Sequence, residues 1–414
     1  MSLLSRWKSL RSDQKGSVLI ISSLTMPILI GVVGLATDTI QWTLDKRQLQ
    51  RSADSAALAG AMALAQDHDA EASANDSVGR TNSLTLTETP VVEWPPTAGG
   101  YSGNSNSVRV VLRTRRNLPF SSMFLSQAPL IEVSATAQVI SNGNYCVIAL
   151  EQGTETGVTI TGNSTIDLNC GMFANSAAGA AVSAGGSATI RSTPVGAVGG
   201  IPASDSYKQP TTLLPYSIPQ EDPFAHLEDP DVSGCSPKLT VQPSQTRTIS
   251  PGCYRGMDLK GTVTLEPGVY YIDGGSLSFG SQAHVTGDGV TFVLTSENAD
   301  FNPSSVATLD MNGGAEINIS APDSGTYQGV LIFQDRRAQL NTVNRINGNS
   351  DSILQGAFYF PRQILEFNGT SGMTTDCIQL VGSRVNFSGN STISNICPTN
   401  GSSAFRGTVV RLVE

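Results

Sequence analysis

Residues 17–37 read Ser17-Val-Leu-Ile-Ile-Ser-Ser-Leu-Thr-Met-Pro-Ile-Leu-Ile-Gly-Val-Val-Gly-Leu-Ala-Thr37, a run of 21 positions without an ionisable side chain. A helix of this length measures about 31 Å, which matches the hydrocarbon core of a lipid bilayer. The preceding residues 1–16 form a basic tail with four cations and one acid: Arg6, Lys8, Arg11, Lys15 and Asp13. Because positive flanks stay in the cytoplasm, the sequence predicts a single-pass transmembrane helix with a cytoplasmic tail and an exported C-terminal part.

Two other interpretations of this stretch are open. A cleaved secretory signal has a shorter apolar core and an Ala-x-Ala-like exit. Here the apolar run ends in Ala36-Thr37-Asp38 and the helical pattern continues into charged sequence, which favours a retained anchor. A buried helix of a soluble protein is disfavoured by the length of the run and by its basic flank.

Small or helix-bending residues recur along the predicted span at steps of three and four: Ser23, Pro27, Gly31 and Gly34. This spacing places them on one face, where a second transmembrane helix can approach closely. The alternative is that Gly and Pro are simply frequent in membrane helices.

Three local patterns resemble the N-terminal module of TadE/TadG-like proteins, which belong to the bacterial Tad (tight adherence, or Flp) pilus machinery. They are Lys15-Gly16-Ser17 before the span, Asp38 after it, and Leu49-Gln-Arg-Ser-Ala-Asp-Ser-Ala-Ala-Leu-Ala-Gly-Ala61. The resemblance covers about the first 65 residues. It implies an inner-membrane protein whose N-terminal helix contacts the bilayer and other Tad pilus subunits.

Processing is where the chain departs from the pilins of this system, which are cut after a glycine with a glutamate at the fifth position beyond it. Here that fifth position after Gly16 is Ile21. The resemblance therefore implies the uncleaved, TadG-like branch, in which residues 1–16 are retained.

Residues 38–142 predict a pilin-like helix on a small sheet. A stripe of small residues continues at helical period beyond the span, and three strand-like runs follow, of which the last two alternate in the way typical of half-buried antiparallel strands. The runs are Pro90–Trp94, Ser107–Thr114 and Ile131–Ile140.

Residues 143–414 change to short β runs separated by Gly, Asn and Asp, with a proline-rich excursion at 201–232. Two stretches, Val158–Ile166 and Val385–Ile393, nearly repeat each other. Such repeats indicate stacked coils. The predicted fold class is therefore α+β, with an all-β exported region that is a parallel β-helix or, alternatively, a β-sandwich.

All six cysteines lie beyond the span: Cys146, Cys170, Cys235, Cys253, Cys377 and Cys397. An even count on the exported side predicts disulfides, and no pair has the C-x-x-C spacing typical of metal ligation. Neighbouring coils bring residues about one coil apart within disulfide reach, so we expect sequential pairing, 146–170, 235–253 and 377–397. The first and last bridges would then bracket the two near-repeats, which we expect to form the first and last coils, and protect the two ends of the stack.

The net charge of −9 argues against nucleic acid as a partner, since phosphate binding needs clustered cations. Many TadG-like proteins carry a metal-binding von Willebrand A domain, but the nearest match, Asp231-Val-Ser-Gly-Cys235, lacks its second serine, so no metal or other cofactor is expected.

Two functions remain. One is a non-enzymatic structural or adhesive pilus component, which would contact surface glycans or host or abiotic surfaces. The other is a membrane-anchored carbohydrate-binding or carbohydrate-cleaving β-helix, for which Asp273, Asp288 and Asp310 would have to stack as a carboxylate cluster.

Overall fold

The computed structural model describes residues 17–348, 352–370, 373–375, 378–390, 392–395 and 405–414. The basic tail, including the predicted uncut Gly16, lies outside the described residues. Two compact units are present: one runs to Ile140 and includes Val410–Glu414, and the other is Ser141–Val409. The sequence-based division assigns the last five residues to the second region, whereas in the structure they belong to the first unit. The reason is that Thr136 exchanges backbone hydrogen bonds with Val413 and Glu414 at 2.8–2.9 Å.

Two helices and 28 strands are described, with 3-10 turns at Ser121–Met123 and Pro303–Ser305. The helices are α1 (Ser17–Leu64) and α2 (Ala70–Thr81). The strands are β1 (Val91–Glu93), β2 (Ser107–Arg115), β3 (Leu130–Ala149), β4 (Val158–Ile160), β5 (Thr165–Asp167), β6 (Gly171–Ala174), β7 (Val182–Ala184), β8 (Thr189–Arg191), β9 (Val195–Ala197), β10 (Leu213–Leu214), β11 (Leu239–Val241), β12 (Thr246–Ile249), β13 (Gly252–Tyr254), β14 (Met257–Leu259), β15 (Thr262–Leu265), β16 (Gly268–Asp273), β17 (Ser276–Phe279), β18 (His284–Gly287), β19 (Val290–Thr295), β20 (Thr308–Met311), β21 (Glu316–Ser320), β22 (Val330–Gln334), β23 (Val343–Gly348), β24 (Ile353–Thr370), β25 (Met373–Thr375), β26 (Ile378–Asn390), β27 (Thr392–Asn395) and β28 (Phe405–Leu412).

Helix α1 continues without interruption from the predicted span into the alanine-rich stretch, over 48 residues. At 1.5 Å per residue it is about 72 Å long, more than twice the thickness of a bilayer core. Among the described residues it is the one helix long and apolar enough to cross a membrane, and no residue of its most apolar window of 18 residues is buried by protein.

The second half of α1 packs through small side chains, as its stripe predicts. Ala53, Ala56 and Ala57 are fully buried in a core shared with α2 and the small sheet. Gly60 is needed for this approach, because a Cβ there would lie 2.9 Å from Val108 Cγ1. Helix α2 is not among the elements predicted from the sequence, although Asp69 is a recognisable N-cap residue that accepts the Ala72 N–H at 3.0 Å.

The small sheet is antiparallel, as predicted. β1 pairs with β2, and β2 pairs along its whole length with the first half of β3. The long apolar helix and the mostly β character of the remaining chain thus agree with the predicted fold class.

The second unit is built from parallel strands that pair with the third strand following in sequence. From β11 onward this rule generates three ladders: β11–β14–β17–β20, β12–β15–β18–β21 and β13–β16–β19–β22. Parallel, in-register pairing places side chains of successive strands directly above one another, about 4.8 Å apart. The buried core is therefore made of columns of apolar side chains.

One column shows that the chain enters its stack in the middle. Its residues pair in the spatial order Tyr270, Phe292, Ile332, Phe358, Leu380, Val147, Met172, Val195 and Leu213. The C-terminal coil containing β26 thus hydrogen-bonds to the N-terminal coil containing β3. From β10, at one end, residues 215–238 lead to β11, at the other end.

The expectation that the near-repeats form the two ends of the stack is wrong. Val385 pairs with Val158, and Thr392 pairs with Thr165, so the two copies are direct neighbours. This arrangement gives their similarity a physical reason, because equivalent side chains of the two copies lie next to each other within the same ladder and have to pack together.

Candidate functional site

The predicted packing face of α1 is partly covered by the protein itself. Gly31 and Gly34 are half-buried, whereas Ser23 and Pro27 are exposed. The ring of Phe120 lies where a side chain at Gly34 would have to be. Ser23, Pro27 and Gly31 line a cleft of about 440 Å³ between the helix and the loop that carries Phe120. The four predicted residues therefore share one face, which remains open toward the middle of the span.

Asp38, at the end of the predicted span, fixes this loop to the helix. Its side chain is 3 % exposed and accepts the Phe120 N–H at 3.0 Å, together with the N–H and hydroxyl of Ser121. The sequence marked Asp38 only through the family pattern. Its partner lies 82 residues away, so no local signal could have identified this contact.

Two disulfides join the cysteine pairs that the sequence predicts. Cys146 is bonded to Cys170 with a Cα–Cα distance of 5.9 Å, and Cys235 to Cys253 at 4.8 Å. Cys377 and Cys397 lie outside the described residues.

The positions of the two bridges within the stack differ from the prediction. The 146–170 bridge joins strands inside the stack, where Val147 has a paired neighbour on each side. The 235–253 bridge lies beside β11–β13, at the end of the ladders. The reason is again that the chain enters the stack in the middle.

The proline-rich excursion is packed against the ladders through Arg336. Its guanidinium donates to the carbonyl oxygens of Leu227 (2.6 Å) and Phe224 and to the Tyr359 hydroxyl (2.8 Å). Tyr359 in turn donates to Asp222 at 2.7 Å, and burial of the phenol followed by the nearby Asp222 charge raises the pKa of Tyr359. These bonds hold residues 215–238, here called the crossing segment because they connect β10 to β11, against the ladders.

Beside this segment the second unit carries an open groove of about 640 Å³. Its polar and aromatic lining comprises His226, Glu228, Asp229, Tyr271, Ser324, Thr326 and Tyr327. Tyr327 is 8 % exposed, and its burial, with a smaller contribution from Tyr271, raises its pKa to about 12. Half-buried Tyr271 lines the groove together with the carboxylates of Glu228 and Asp229, so apolar contact and hydrogen-bonding groups occur in one place, which suits a polyhydroxylated ligand.

The three aspartates considered for catalysis do not form a stacked cluster. Asp310 pairs with Ser278 and Arg345 in its ladder, whereas Asp273 pairs with Thr295 in a different one. Asp288 accepts a hydrogen bond from Ser320 at 3.0 Å. Over the described residues, no group of three or more His, Cys, Asp or Glu side chains is arranged to hold a metal ion.

Comparison with protein families gives one match. Residues 16–63 match the family model described as Flp pilus-assembly TadE/G-like. The N-terminal module is TadE/G-like.

The match covers most of α1, from its apolar half to the buried alanines, and ends one residue before Leu64. Searches of curated proteins and of solved structures found no match. The TadE/G-like module is thus the part of the chain from which a pilus-associated role follows.

Proposed function

We propose that this protein is a non-enzymatic structural or adhesive component of a Tad/Flp-type pilus apparatus. In this proposal α1 anchors it in the bacterial inner membrane with residues 1–16 in the cytoplasm. The stacked unit is a parallel β-helix on the periplasmic side or is displayed with the pilus.

The observation that carries the proposal is the construction of α1. Its TadE/G-like sequence folds as one helix, with an apolar half uncovered by protein and a small-residue half buried against α2 and the sheet. An uncovered apolar surface of this size is stable in lipid and not in water. A stack of paired strands on the same chain as such an anchor suits a structural or displaying role.

Locating the protein tests this proposal. Membranes and sheared pili are separated from piliated cells, and a periplasm-dependent reporter is fused after Glu414. We expect the chain in the inner membrane or the pilus fraction and an active reporter. A chain found in neither fraction, or a reporter that is inactive although the fusion protein is present at normal levels, would contradict the proposal.

A pair of variants tests the contact with other pilus subunits. A Cβ at Gly31 meets no atom within 4 Å, so Gly31→Leu fills the cleft without a backbone clash. We expect normal membrane levels, fewer pili and loss of co-purifying pilus subunits. Val33→Leu enlarges another face of the same helix and should leave all three unchanged. Equal effects from both variants would exclude the small-residue face as the contact.

A second function, glycan binding, is favoured by the groove beside the crossing segment. The proposal predicts that purified protein binds a surface polysaccharide and that Tyr271→Ala weakens this binding, while Tyr216→Ala, at an exposed position outside the groove, does not. Release of new reducing ends during the assay would instead indicate carbohydrate cleavage.

A further inference from the structure

The loop over α1 is an apolar element with three adjacent, highly exposed side chains. Met123, Phe124 and Leu125 are 75 %, 72 % and 51 % exposed. No ionisable residue occurs from Leu118 to Pro129. Three adjacent side chains of this kind form a surface that water does not stabilise.

This loop lies beside the predicted span and not beyond it. Phe120 packs on Gly34, and Met123 and Phe124 line the same cleft as Met26 and Ile30. Ile30 and Met26 lie four and eight residues before Gly34, or about 6 and 12 Å along the helix axis toward the middle of the span. The apolar surface of the loop is therefore continuous with that of the helix.

The backbone N–H groups of the loop are hydrogen-bonded within the protein, as an environment without water requires. In hydrocarbon each unpaired N–H costs several kcal/mol, so irregular segments are excluded unless their polar groups are satisfied. Phe120 and Ser121 donate their N–H groups to Asp38. The following four amides donate to carbonyl oxygens within the loop: Ser122 to Leu118, Met123 to Phe120, and both Phe124 and Leu125 to Ser121. All six N–H groups from 120 to 125 thus have acceptors.

Charged residues begin immediately outside the loop. Arg116 is paired with Asp45 at 3.0 Å, and Arg115 donates to the Ala128 carbonyl at 3.0 Å. Both arginines are exposed, and Asp45 lies seven residues, about 10 Å, beyond Asp38 along the helix. This places cations where the lipid headgroups of a bilayer spanned by α1 would lie.

We propose that residues 118–125, here called the wedge, are inserted into the hydrocarbon of the leaflet on the side opposite the cytoplasmic tail. The protein is then held in the bilayer both by α1 and by the wedge, which Asp38 binds to α1 through hydrogen bonds. The occupant of this surface is lipid, and the inference rests on the proposed membrane anchoring by α1. The wedge would fix the rotation of α1 and leave the Ser23–Gly31 side as the boundary between lipid and any partner helix.

Site-specific fluorescence on the full chain in lipid nanodiscs tests the wedge. An environment-sensitive label is attached to Phe124→Cys in the loop, to Leu29→Cys in the span, and to Ala72→Cys on the exposed face of α2. The oxidised parent chain, labelled in parallel, gives the background from native cysteines. Quenchers are spin-labelled phospholipid and aqueous iodide. Met123→Cys is a second loop site, chosen because its side chain is equally exposed.

The expected result is strong lipid quenching and weak iodide quenching at Phe124→Cys and Leu29→Cys, with the reverse at Ala72→Cys. Lipid quenching at Leu29→Cys alone, with iodide reaching the loop, would overturn the wedge and leave the anchor intact. Loop labels shielded from both quenchers would also overturn it, because protein would then cover the loop. Iodide access at Leu29→Cys would overturn wedge and anchor together.

Discussion

The two units use the same apolar residue types in opposite ways. In the first half of α1, Val, Leu and Ile side chains point outward on all sides and stay uncovered, whereas in the stacked unit they point inward in columns with almost no exposure. Part of the difference follows from pattern, since α1 has an unbroken apolar run of 21 residues, whereas strands such as β15 and β21 are short and alternate exposed polar with buried apolar residues. Whether an apolar residue is buried or exposed therefore depends on the length and pattern of the apolar run that contains it and not on its hydrophobicity alone.

Removing a ring from a column is the change expected to have the largest effect. Phe292 is fully buried between Tyr270 and Ile332. Phe292→Ala should lower the free energy of unfolding of the second unit by about 3–5 kcal/mol, through lost transfer energy and a residual cavity. Leu29→Ala, the same kind of truncation on uncovered α1, should leave that transition unchanged. Denaturant titration of the two variants measures this contrast, and equal losses would contradict it.

A charge placed in the span tests the other side of the comparison. Val32 is uncovered and lies within the apolar run. Val32→Arg should cost about 2.5–3.5 kcal/mol of apparent insertion free energy, because the guanidinium must enter hydrocarbon. Ala72→Arg, on the water-exposed face of α2, should insert normally. Quantitative membrane-insertion assays compare them; normal insertion of Val32→Arg would favour a position for α1 outside the bilayer.

The features that were predicted correctly from the sequence are those that local sequence patterns determine. The apolar run gave α1, the alternation in β2 and β3 gave the antiparallel sheet, and the cysteine spacings gave two bridges. Spacing specifies which coils follow each other along the chain, but it does not say whether the first and last coils are apart or adjacent. That choice depends on pairing between β26 and β3, more than 200 residues apart.

The contact between α1 and the loop at 118–125 could not be predicted either, because it also joins residues far apart in sequence. The small residues and Asp38 were visible, but the loop at 118–125 has no helical or strand period to place it on the helix. Short apolar runs interrupted by Ser and Pro are ambiguous, since they occur both in turns of a soluble domain and at membrane surfaces.

The two disulfides allow a finer comparison within the second unit. They close loops of similar length, with separations of 24 and 18 residues, so each should constrain the unfolded chain by about 3 kcal/mol. Replacing Cys146 and Cys170 by Ser should lower global stability, because their strands lie inside the stack. Replacing Cys235 and Cys253 should mainly increase hydrogen exchange in residues 239–254, at the end of the ladders. Fraying confined to 239–254 in the 146/170 variant would contradict the stack order.

The smallest effect separates two glycines of the first unit. Gly79 lies on the exposed face of α2 with no atom within 4 Å of an added Cβ, whereas at Gly60 a Cβ would lie 2.9 Å from Val108 and 3.2 Å from the Ala70 carbonyl oxygen. Alanine improves helix propensity by about 1 kcal/mol at either position. At Gly60 this gain is outweighed by overpacking, which costs about 1–3 kcal/mol.

Gly79→Ala should therefore raise the thermal midpoint of the first unit, and Gly60→Ala should lower it by a comparable amount. Circular dichroism of the full chain in nanodiscs measures both. Because the two substitutions add the same methyl group, an opposite sign isolates the contact between α1, α2 and β2 from helix propensity. Stabilisation by both would mean that α1 does not approach β2 as closely as Gly60 permits, and the buried half of the helix would then be held by its alanines alone.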